Sequence, residues 1–417
     1  MMTNPLQATF VTDVPFWNAA TGAQLRILQL IQQLDSPEMN CNALITQWNA
    51  SIGSEQIQSQ TDIPLQFIDA SQPPQTGIKS KANWYAAAVA NRFGFSRNES
   101  FTPTLNEYYP RAIVNRFVEQ VEASRPDILI FEYVNQVQLM RALPIGTRQS
   151  IVCAVDTHDI LWQRNDQFRA QGQAHWLDAT QQDEETALAE YDLIIAIQAK
   201  EADYFATIAS PEKVSTTAME FRATSTTNSA AESPRIGLLS SNNWANVDTV
   251  TEVLRVWPQI LAERQDLKFV LAGSICESEE IRKLTATTTN IQIMGKVESP
   301  EDFYEQVDIV WNPVRYGTGL KIKNLEALAH AKCLVTSPHG ATGLDATESK
   351  TLADRQKPFV VLDSPDAASA FFKGLDSDLI QALSQNGVNH LESHFGAGTQ
   401  YPPLRQKLAT LCSLKSV

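Results

Sequence analysis

The chain has 417 residues, of which 43% are hydrophobic and 19% are charged, and its formal net charge is -14. This composition is typical of a globular protein with two domains, because a single hydrophobic core seldom serves more than about 250–300 residues. The negative charge argues against a nucleic-acid-binding protein, which needs a basic surface. No run of Lys and Arg indicates binding to anionic membranes.

The sequence indicates a cytoplasmic protein. Its five cysteines are widely spaced and form no CxxC pair, so neither a disulfide framework nor a zinc knuckle is expected. The first residues lack the basic and apolar segments of a signal peptide. No apolar run approaches the ~18 residues of a transmembrane segment, so none is predicted.

The first half of the chain alternates short apolar runs with helical patterns, which favours βαβ units and a parallel sheet. Gly22 begins a helix whose apolar residues recur at helical spacing. The patterns predict strands at 8–12, 42–46, 127–131, 150–155 and 192–197, and further helices at 111–124 and near 176–190. Residues 47–111 mix Pro, Ser, Gln and aromatic residues, and they predict no clear elements.

The second half restarts the same alternation after a stretch of small and polar residues. The patterns predict strands at 235–239, 268–272, 291–294, 308–312 and 333–336, and helices at 247–264, 277–286, 300–306, 320–331 and beyond 365. We therefore predict a first domain at 1–221, a linker at 222–233, a second domain at 234–395 and a helical tail at 396–417, which could pack back on the first domain. The alternative is that 222–232 is a surface loop within one large sheet.

Residues 313–344 form the most informative segment, PVRYGTGLKIKNLEALAHAKCLVTSPHGATGL. Gly317 and Gly319 follow a strand and remove side chains where a phosphate would approach backbone N–H groups. The next helix directs its positive end toward that place. Lys323 could neutralise a phosphate, and Glu326 could accept hydrogen bonds from a ribose diol. The alternatives are an ordinary turn and a solvated Lys–Glu pair.

The whole combination closely resembles the nucleotide-sugar-binding motif of GT-B fold glycosyltransferases, in the retaining, family-4-like group (glycosyl transferases group 1). The resemblance extends over most of 235–345, including RIGLLSSNNWANVDTV and KFVLAGS. It implies that Glu326 binds the ribose hydroxyls and that Gly317, Thr318 and Gly319 face the donor pyrophosphate and sugar. Arg315, Lys321 and Lys323 are the cations available for the phosphates.

In the first half, the resemblance rests on the Gly-x-x-x-Arg opening of a helix, at Gly22 and Arg26, and on DTHDILWQR after the strand at 150–155. It implies that His158 faces the donor sugar in a cleft between the domains. Gly22, Arg26 and Arg164 are candidates for the cleft or the acceptor site. The alternatives are a local hydrogen bond from His158 to Asp156 or Asp159, and a plain loop glycine at position 22.

The implied architecture is α/β, with two Rossmann-like domains facing each other across a cleft. The implied enzyme is a hexosyltransferase-like glycosyltransferase that moves a sugar from a nucleotide-diphosphate sugar to an acceptor hydroxyl. His158, Lys323 and Glu326 are the expected catalytic residues, retention of configuration is expected, and no metal and no cofactor other than the donor are predicted. The acceptor could be a sugar, a lipid-linked glycan or a protein.

Two departures from the family pattern support an alternative, a non-catalytic relative that binds a sugar or a partner. Thr318 stands where many members carry the first of two glutamates, so only Glu326 remains of that pair. The loop at 240–245 also lacks the cations that many members carry there. A phosphorylase or an epimerase is less consistent with the sequence, because neither a pyridoxal-binding Lys nor additional acid–base carboxylates can be placed.

A second possible ligand group lies in the tail, where His390 and His394 are one helical turn apart. Such a pair could bind a metal ion, but the sequence suggests no third ligand nearby. The spacing of Glu392 is also not that of a zinc protease helix. We therefore favour an exposed helix face over a metal site.

Overall fold

The protein divides into two compact units, Met1–Met219 with Gln400–Val417 and Glu220–Thr399. This computed structural model describes residues 4–47, 53–68, 102–173, 177–224, 233–344 and 354–415. The predicted linker at 222–233 therefore lies mostly outside the described residues. Within the described part of the chain, no helix is both long and apolar enough to cross a membrane.

The first unit contains a parallel sheet in the strand order β3-β2-β1-β4-β5-β6-β7. The strands are β1 (Leu6–Thr12), β2 (Met39–Ile45), β3 (Leu65–Phe67), β4 (Ile128–Glu132), β5 (Val152–Asp156), β6 (Leu193–Ala196) and β7 (Val214–Thr216). The helices are α1 (Gly22–Leu34), α2 (Ser54–Gln58), α3 (Arg111–Ser124), α4 (Val137–Ala142), α5 (Ile145–Ser150), α6 (Leu161–Ala170), α7 (Gln181–Ala189) and α8 (Ala199–Ile208). Strands β4, β5 and β6 are buried along their whole length, as expected for a parallel sheet covered on both faces.

The second unit contains a parallel sheet in the strand order β10-β9-β8-β11-β12-β13. The strands are β8 (Arg235–Leu239), β9 (Lys268–Ala272), β10 (Ile291–Gly295), β11 (Ile309–Asn312), β12 (Cys333–Thr336) and β13 (Val360–Val361). The helices are α9 (Trp244–Glu263), α10 (Glu279–Thr285), α11 (Pro300–Tyr304), α12 (Ile322–Ala329), α13 (Pro365–Lys373) and α14 (Ser377–Phe395). Because the strands are parallel, the loops after β8, β11 and β12 meet at one edge of the sheet.

A last helix, α15 (Tyr401–Lys415), belongs to the first unit although it follows the second in sequence. Its side chains Tyr401, Leu404 and Leu408 are buried in the core that lies under α1 and β2. The amino group of Lys415 also bonds the Asp192 carboxylate at 2.6 Å. The first unit is therefore assembled from two separate parts of the chain.

Several predicted elements differ from the structure at their ends. The helix predicted at 320–331 begins at Ile322 and ends at Ala329, because Gly319 has a φ of 71° and Lys321 lies outside the helix. The helix predicted near 176–190 begins only after Thr180, whose side chain caps it together with Asp183. Helices α2, α4, α5, α6 and α8 were not predicted. All five cysteines are free, in agreement with the sequence analysis.

Candidate functional site

The turn between β11 and α12 depends on two glycines and one lysine. Gly317 and Gly319 have φ values of 97° and 71°, which side chains other than glycine rarely adopt. The amino group of Lys321 donates to the carbonyl oxygens of Gly317, Thr318 and Gly319 at 3.1–3.3 Å. Lys321 was predicted as a phosphate cation, but in the structure its charge is turned toward the carbonyls of its own loop. The Lys321 amino group therefore stabilises the turn and is a weaker candidate for binding a ligand phosphate.

Lys323, in the first turn of α12, extends to the neighbouring loop after β8. Its amino group donates to the Ser240 hydroxyl at 3.0 Å and to the Asn246 side-chain oxygen at 3.3 Å. Burial lowers the pKa of this amino group to about 8. The loop at 240–245 carries no cation of its own, so Lys323 supplies the positive charge at this sheet edge.

Glu326 lies one turn further along α12. The Tyr304 hydroxyl donates to its carboxylate at 3.3 Å, and the buried Tyr304 ring stacks on His330 with centroids 4.2 Å apart. Burial raises the pKa of Glu326, while the Tyr304 hydrogen bond and the Lys323 charge act in the opposite direction. The carboxylate is therefore held in a defined position beside a cation, as a hydrogen-bond acceptor for a ligand would require.

A buried amide network fixes α12 to the ends of β11 and β12. Asn324 is fully buried, and its side chain accepts from Asn312 at 2.7 Å and donates to the Gly340 carbonyl at 2.9 Å. The Thr336 hydroxyl completes the network by donating to the Asn312 carbonyl at 2.8 Å. Because these groups cannot reach water, each depends on the others for its hydrogen bonds. The sequence analysis missed this network.

Arg315 faces helix α9. Its guanidinium bonds the Asp248 carboxylate at 3.2 Å and lies 3.5 Å from the Glu252 carboxylate, while half of its side chain stays exposed. Arg315 was predicted to contact a donor phosphate. Because two carboxylates already surround this guanidinium, it is a weaker candidate for that role than Lys323.

His158 follows β5 in the first unit and is 7% exposed. Its Nε2 atom lies 2.7 Å from the Glu132 carboxylate and 3.4 Å from the Asp156 carboxylate. Its ring stacks on Tyr133, with centroids 3.9 Å apart and the planes within 11° of each other. The expected local contact to Asp156 is thus present, but the shorter contact is to Glu132, which the sequence analysis did not consider.

Arg26 is fully buried, and its guanidinium binds Asp156 through two hydrogen bonds of 2.5 and 2.7 Å. A third hydrogen bond of 3.0 Å goes to the Thr217 carbonyl. Arg26 was predicted as a candidate for the cleft or the acceptor site. Since its donors are turned into the protein, Arg26 instead fixes α1 to the end of β5.

Gly22 and Arg164 were the other two candidates in the first unit. Gly22 is the first residue of α1 and directly follows the N-cap Thr21, whose side chain forms a capping box with Gln24. Arg164, on α6, bonds the Asp159 carboxylate at 2.7 Å and lies 6.0 Å from the centre of the Tyr133 ring. Both residues lie near an edge where a ligand could bind, and their roles stay predictions.

Three polar residues at these two edges share one recognisable signal. Glu132 and Asp156 end β4 and β5, and Asn312 ends β11, so each polar side chain closes a buried apolar strand. Polar residues at such positions converge at one edge of a parallel sheet. The strands predicted at 127–131 and 150–155 stop one residue short of Glu132 and Asp156, whereas Asn312 is already the last residue of the strand predicted at 308–312. The partner of each, however, depends on the register between strands.

The comparison with known families decides the nature of the second unit. Residues 233–372 match the family model Glycosyl transferases group 1. The second unit is a glycosyl transferases group 1 domain. Because of this match, the predicted resemblance to this family is confirmed, and so is the assignment to glycosyltransferase enzymes. The finer placement in a retaining, family-4-like group stays a prediction.

Solved glycosyltransferase structures share the fold along nearly the whole chain. HepE of Anabaena, solved in complex with UDP and glucose, is 12% identical, covers 99% of this chain and 100% of its own, and has a TM-score of 0.62. Sucrose-phosphate synthase of Thermosynechococcus elongatus is 11% identical, covers 98% of both chains, and has a TM-score of 0.63. TarM of S. aureus is 9% identical, covers 98% and 99%, and has a TM-score of 0.65. These matches confirm the predicted α/β class with two Rossmann-like domains of the GT-B type.

One curated relative is similar over a shorter stretch. It is an uncharacterized 44.6 kDa protein from the cps region of Klebsiella pneumoniae, 29% identical over 105 residues. The alignment covers 24% of this chain and 27% of that protein. It therefore shows a likeness of part of each chain and identifies no activity.

Proposed function

We propose that this glycosyltransferase moves a sugar from a nucleotide-diphosphate sugar to an acceptor hydroxyl, and that the second unit binds the donor. The observation that carries the proposal is the arrangement on α12, where the Lys323 amino group and the Glu326 carboxylate lie one turn apart at the carboxyl edge of the sheet. The cation suits a diphosphate, and the carboxylate suits the two hydroxyls of a ribose. Gly317 and Gly319 carry no side chains, which favours close approach of phosphate oxygens to the backbone of this turn.

We propose a uridine diphosphate sugar as the first donor to test. The structure of HepE contains UDP and glucose, and a structure of TarM contains UDP and a GlcNAc-glycerol compound. Both proteins share the fold of this chain along almost its full length. The sugar and the acceptor are not specified by this argument, and the acceptor could be a sugar, a lipid-linked glycan or a protein.

The chemistry that we propose places negative charge on the leaving diphosphate. The Lys323 amino group and the N-terminal end of α12 would stabilise that charge, because fixed cations and N–H dipoles need no reorganisation as the bond breaks. This arrangement supports a metal-independent reaction. Retention of configuration, by attack of the acceptor on the face from which the diphosphate leaves, is carried over from the family resemblance.

We propose that His158 is a catalytic residue of the first unit. Its near-complete burial against Tyr133 and Glu132 gives the ring a fixed orientation, which a catalytic contact requires. Thr318 takes the place of a family glutamate and would offer a hydroxyl to the sugar instead of a carboxylate. We also retain a cytoplasmic location as a proposal, supported by the five free cysteines.

The substitution Glu326→Gln tests the donor site. It keeps the size of the side chain but removes the charge, and hydrogen bonds to a charged acceptor contribute roughly 1.5–3 kcal/mol each. We expect isothermal titration calorimetry to show UDP binding weakened by about tenfold or more. The matched control is Glu392→Gln, an exposed carboxylate on α14, which should bind UDP like the unmodified chain.

Two results would contradict the proposal. Unchanged UDP affinity in Glu326→Gln would show that this carboxylate does not contact the ribose. Incubation of the unmodified chain with UDP, GDP and ADP sugars should also release the free nucleoside diphosphate, slowly with water and faster with an acceptor. A chain that binds donors but never releases the diphosphate would be a non-catalytic relative.

A further inference from the structure

Four charged or ionisable side chains of the first unit form one buried cluster. Glu132 and Asp156 pair in register at the ends of the adjacent strands β4 and β5. Arg26 extends to Asp156 from α1, and His158 lies directly after β5. The first three are fully buried, and His158 is 7% exposed. Their charges must therefore balance largely without water.

The charges of two of the four side chains, Arg26 and Asp156, compensate each other. A guanidinium stays protonated in proteins, and its two hydrogen bonds to Asp156 hold that carboxylate as an anion. These two charges cancel. The remaining charge of the cluster therefore depends only on Glu132 and His158, which share a hydrogen bond of 2.7 Å.

An ionised Glu132 beside a neutral His158 would leave one uncompensated negative charge in the interior. Burial, together with the nearby Asp156 charge, raises the pKa of Glu132 to about 7, although the hydrogen bond to His158 acts in the opposite direction. The Glu132 Oε1 atom is also buried and has no hydrogen-bond partner in the described part of the chain. An anionic oxygen is poorly solvated in such a place. These observations favour one additional proton on the pair.

The additional proton can occupy either residue, and both cases lead to the same result at Nδ1. If His158 is an imidazolium, both ring nitrogens carry hydrogen. If Glu132 is a neutral acid, it donates to Nε2, and the single hydrogen of the imidazole then sits on Nδ1. Only the uncompensated state, with Glu132 ionised and His158 neutral, would leave Nδ1 without hydrogen.

We propose that Glu132 and His158 hold one extra proton between them near neutral pH, so that Nδ1 of His158 carries a hydrogen and donates it to an oxygen of the substrate. The second half of this statement rests on the proposed glycosyltransferase function, whereas the first half does not. Glu132 is then a positioning residue, which acts on the substrate only through His158.

The backbone supports a specific orientation of the ring. Tyr133 and His158 have φ values of 72° and 60°, a left-handed conformation that is unfavourable for both residue types. Together these conformations place the His158 ring flat against the Tyr133 ring and turn Nε2 toward Glu132. No described residue forms a hydrogen bond with Nδ1, so this atom is open to a ligand.

The other ionisable groups near the cluster leave the charge balance unchanged. Asp159 and Arg164 form an ion pair of 2.7 Å and cancel each other. Burial raises the pKa of Tyr133 far above neutral, so its hydroxyl is uncharged. Tyr401 of α15 also lies near Arg26.

A metal ion is the competing explanation for the same cluster. One ligand atom each from Glu132, Asp156 and His158 lie within 4.8 Å of one another, a spacing that a cation could bridge. Both oxygens of Asp156, however, already accept hydrogen bonds from Arg26. The guanidinium thus provides the charge that a cation would otherwise supply.

The test is nitrogen NMR on the full chain labelled with ¹⁵N at its six histidines. The His158→Ala spectrum identifies the His158 signals by their loss. At pH 7 we expect Nδ1 of His158 to have the chemical shift of a protonated nitrogen. In Glu132→Gln, the pH at which Nδ1 loses this hydrogen should fall by about one unit or more, because the negative charge that held the proton is gone.

Two controls make the readout specific. Glu201→Gln removes a different buried carboxylate of the same unit and should leave the His158 signals as in the unmodified chain. Adding one equivalent of Zn²⁺ should also leave them unchanged. A bare Nδ1 at pH 7, an unchanged profile in Glu132→Gln, or a stoichiometric Zn²⁺ shift would each overturn the proposal.

The kinetic measurement addresses the substrate contact. With a donor that the enzyme accepts, kcat/KM should fall as pH rises through the transition seen for Nδ1, and Glu132→Gln should move both changes together. A rate that does not follow the Nδ1 signal would overturn the substrate half. If the NMR results are as expected but no donor is turned over, the shared proton stands and the glycosyltransferase proposal fails.

Discussion

Lys323 is the cation on which donor binding should depend. Because its pKa is lowered to about 8, donor binding should also depend on pH. Below about pH 8 the amino group is charged, and above it the group becomes neutral because burial disfavours the charge. UDP binding should therefore weaken as pH rises from about 7.5 to 9, with a limiting slope of about tenfold per pH unit for one coupled proton. Calorimetric titrations across this range measure the slope.

Two variants separate Lys323 from other causes of such a slope. Lys323→Arg keeps its charge throughout this range and should give a flat profile. Arg315→Gln removes a half-exposed cation that is already paired with Asp248 and Glu252, so the unmodified slope should persist. A steep slope in Lys323→Arg would assign the pH dependence to another group.

The roles of individual cations were the least predictable part of the site. Sequence spacing placed Arg315, Lys321 and Lys323 together as equivalent candidates, and the structure separates them by their partners. The partner of Arg315 lies 67 residues away, and that of Arg26 lies 130 residues away. No local pattern encodes such pairs, because they arise only when strands far apart in sequence become neighbours.

Helix α12 is positioned from within, through the buried side chain of Asn324. Asn324→Ala should lower the free energy of unfolding by about 2 kcal/mol or more, because Asn312, Thr336 and the Gly340 carbonyl lose buried hydrogen bonds. It should also weaken UDP binding, since Lys323 and Glu326 flank the residue. Urea denaturation and calorimetry measure the two effects.

An exposed asparagine provides the comparison for this helix. Asn389→Ala removes a side chain on the surface of α14 and should change stability by less than about 0.5 kcal/mol. Equal effects of the two substitutions would mean that the amide network contributes nothing special. Loss of stability in Asn324→Ala without loss of UDP affinity would show that α12 keeps its position by other contacts.

The elements themselves were largely predictable. The strands at 235–239, 268–272 and 333–336 and the helix at 111–124 match the structure, since an apolar run or a helical period directly fixes each of them. The start of α12 was wrong by two residues. Its boundary depends on the positive φ of Gly319, and a glycine in a sequence does not reveal which conformation it adopts.

At the level of the molecule, α15 makes the core of the first unit depend on a distant part of the chain. Leu408 is fully buried, so Leu408→Ala should cost about 2–5 kcal/mol in the stability of that unit. Leu414 lies on the same helix but is 69% exposed, and Leu414→Ala should cost little. Hydrogen exchange should show faster exchange in the strands of the first unit for Leu408→Ala, with the second unit unchanged.

The opposite pattern would be informative as well. If Leu408→Ala accelerated exchange in the second unit, or left the first unit as protected as before, α15 would not contribute to the core as the structure indicates. The alternation of strands and helices was sufficient to predict two α/β domains, and the sequence also suggested that the tail could pack back on the first domain, but it did not identify the side chains in contact. The apolar pattern of an amphipathic helix predicts that one face of the helix packs against the protein, but it does not identify the surface against which that face packs.

The discontinuity of the first unit also sets an order for its biogenesis. While a ribosome makes this chain, β1 to β7 emerge early, yet the surface destined for Tyr401, Leu404 and Leu408 stays bare until everything up to Thr399 has been translated. During that interval, the apolar surface beside α1 that α15 later covers is exposed to chaperones and to other nascent chains. Slowing translation between the two parts should thus lower the yield of active enzyme, even though no residue has been altered.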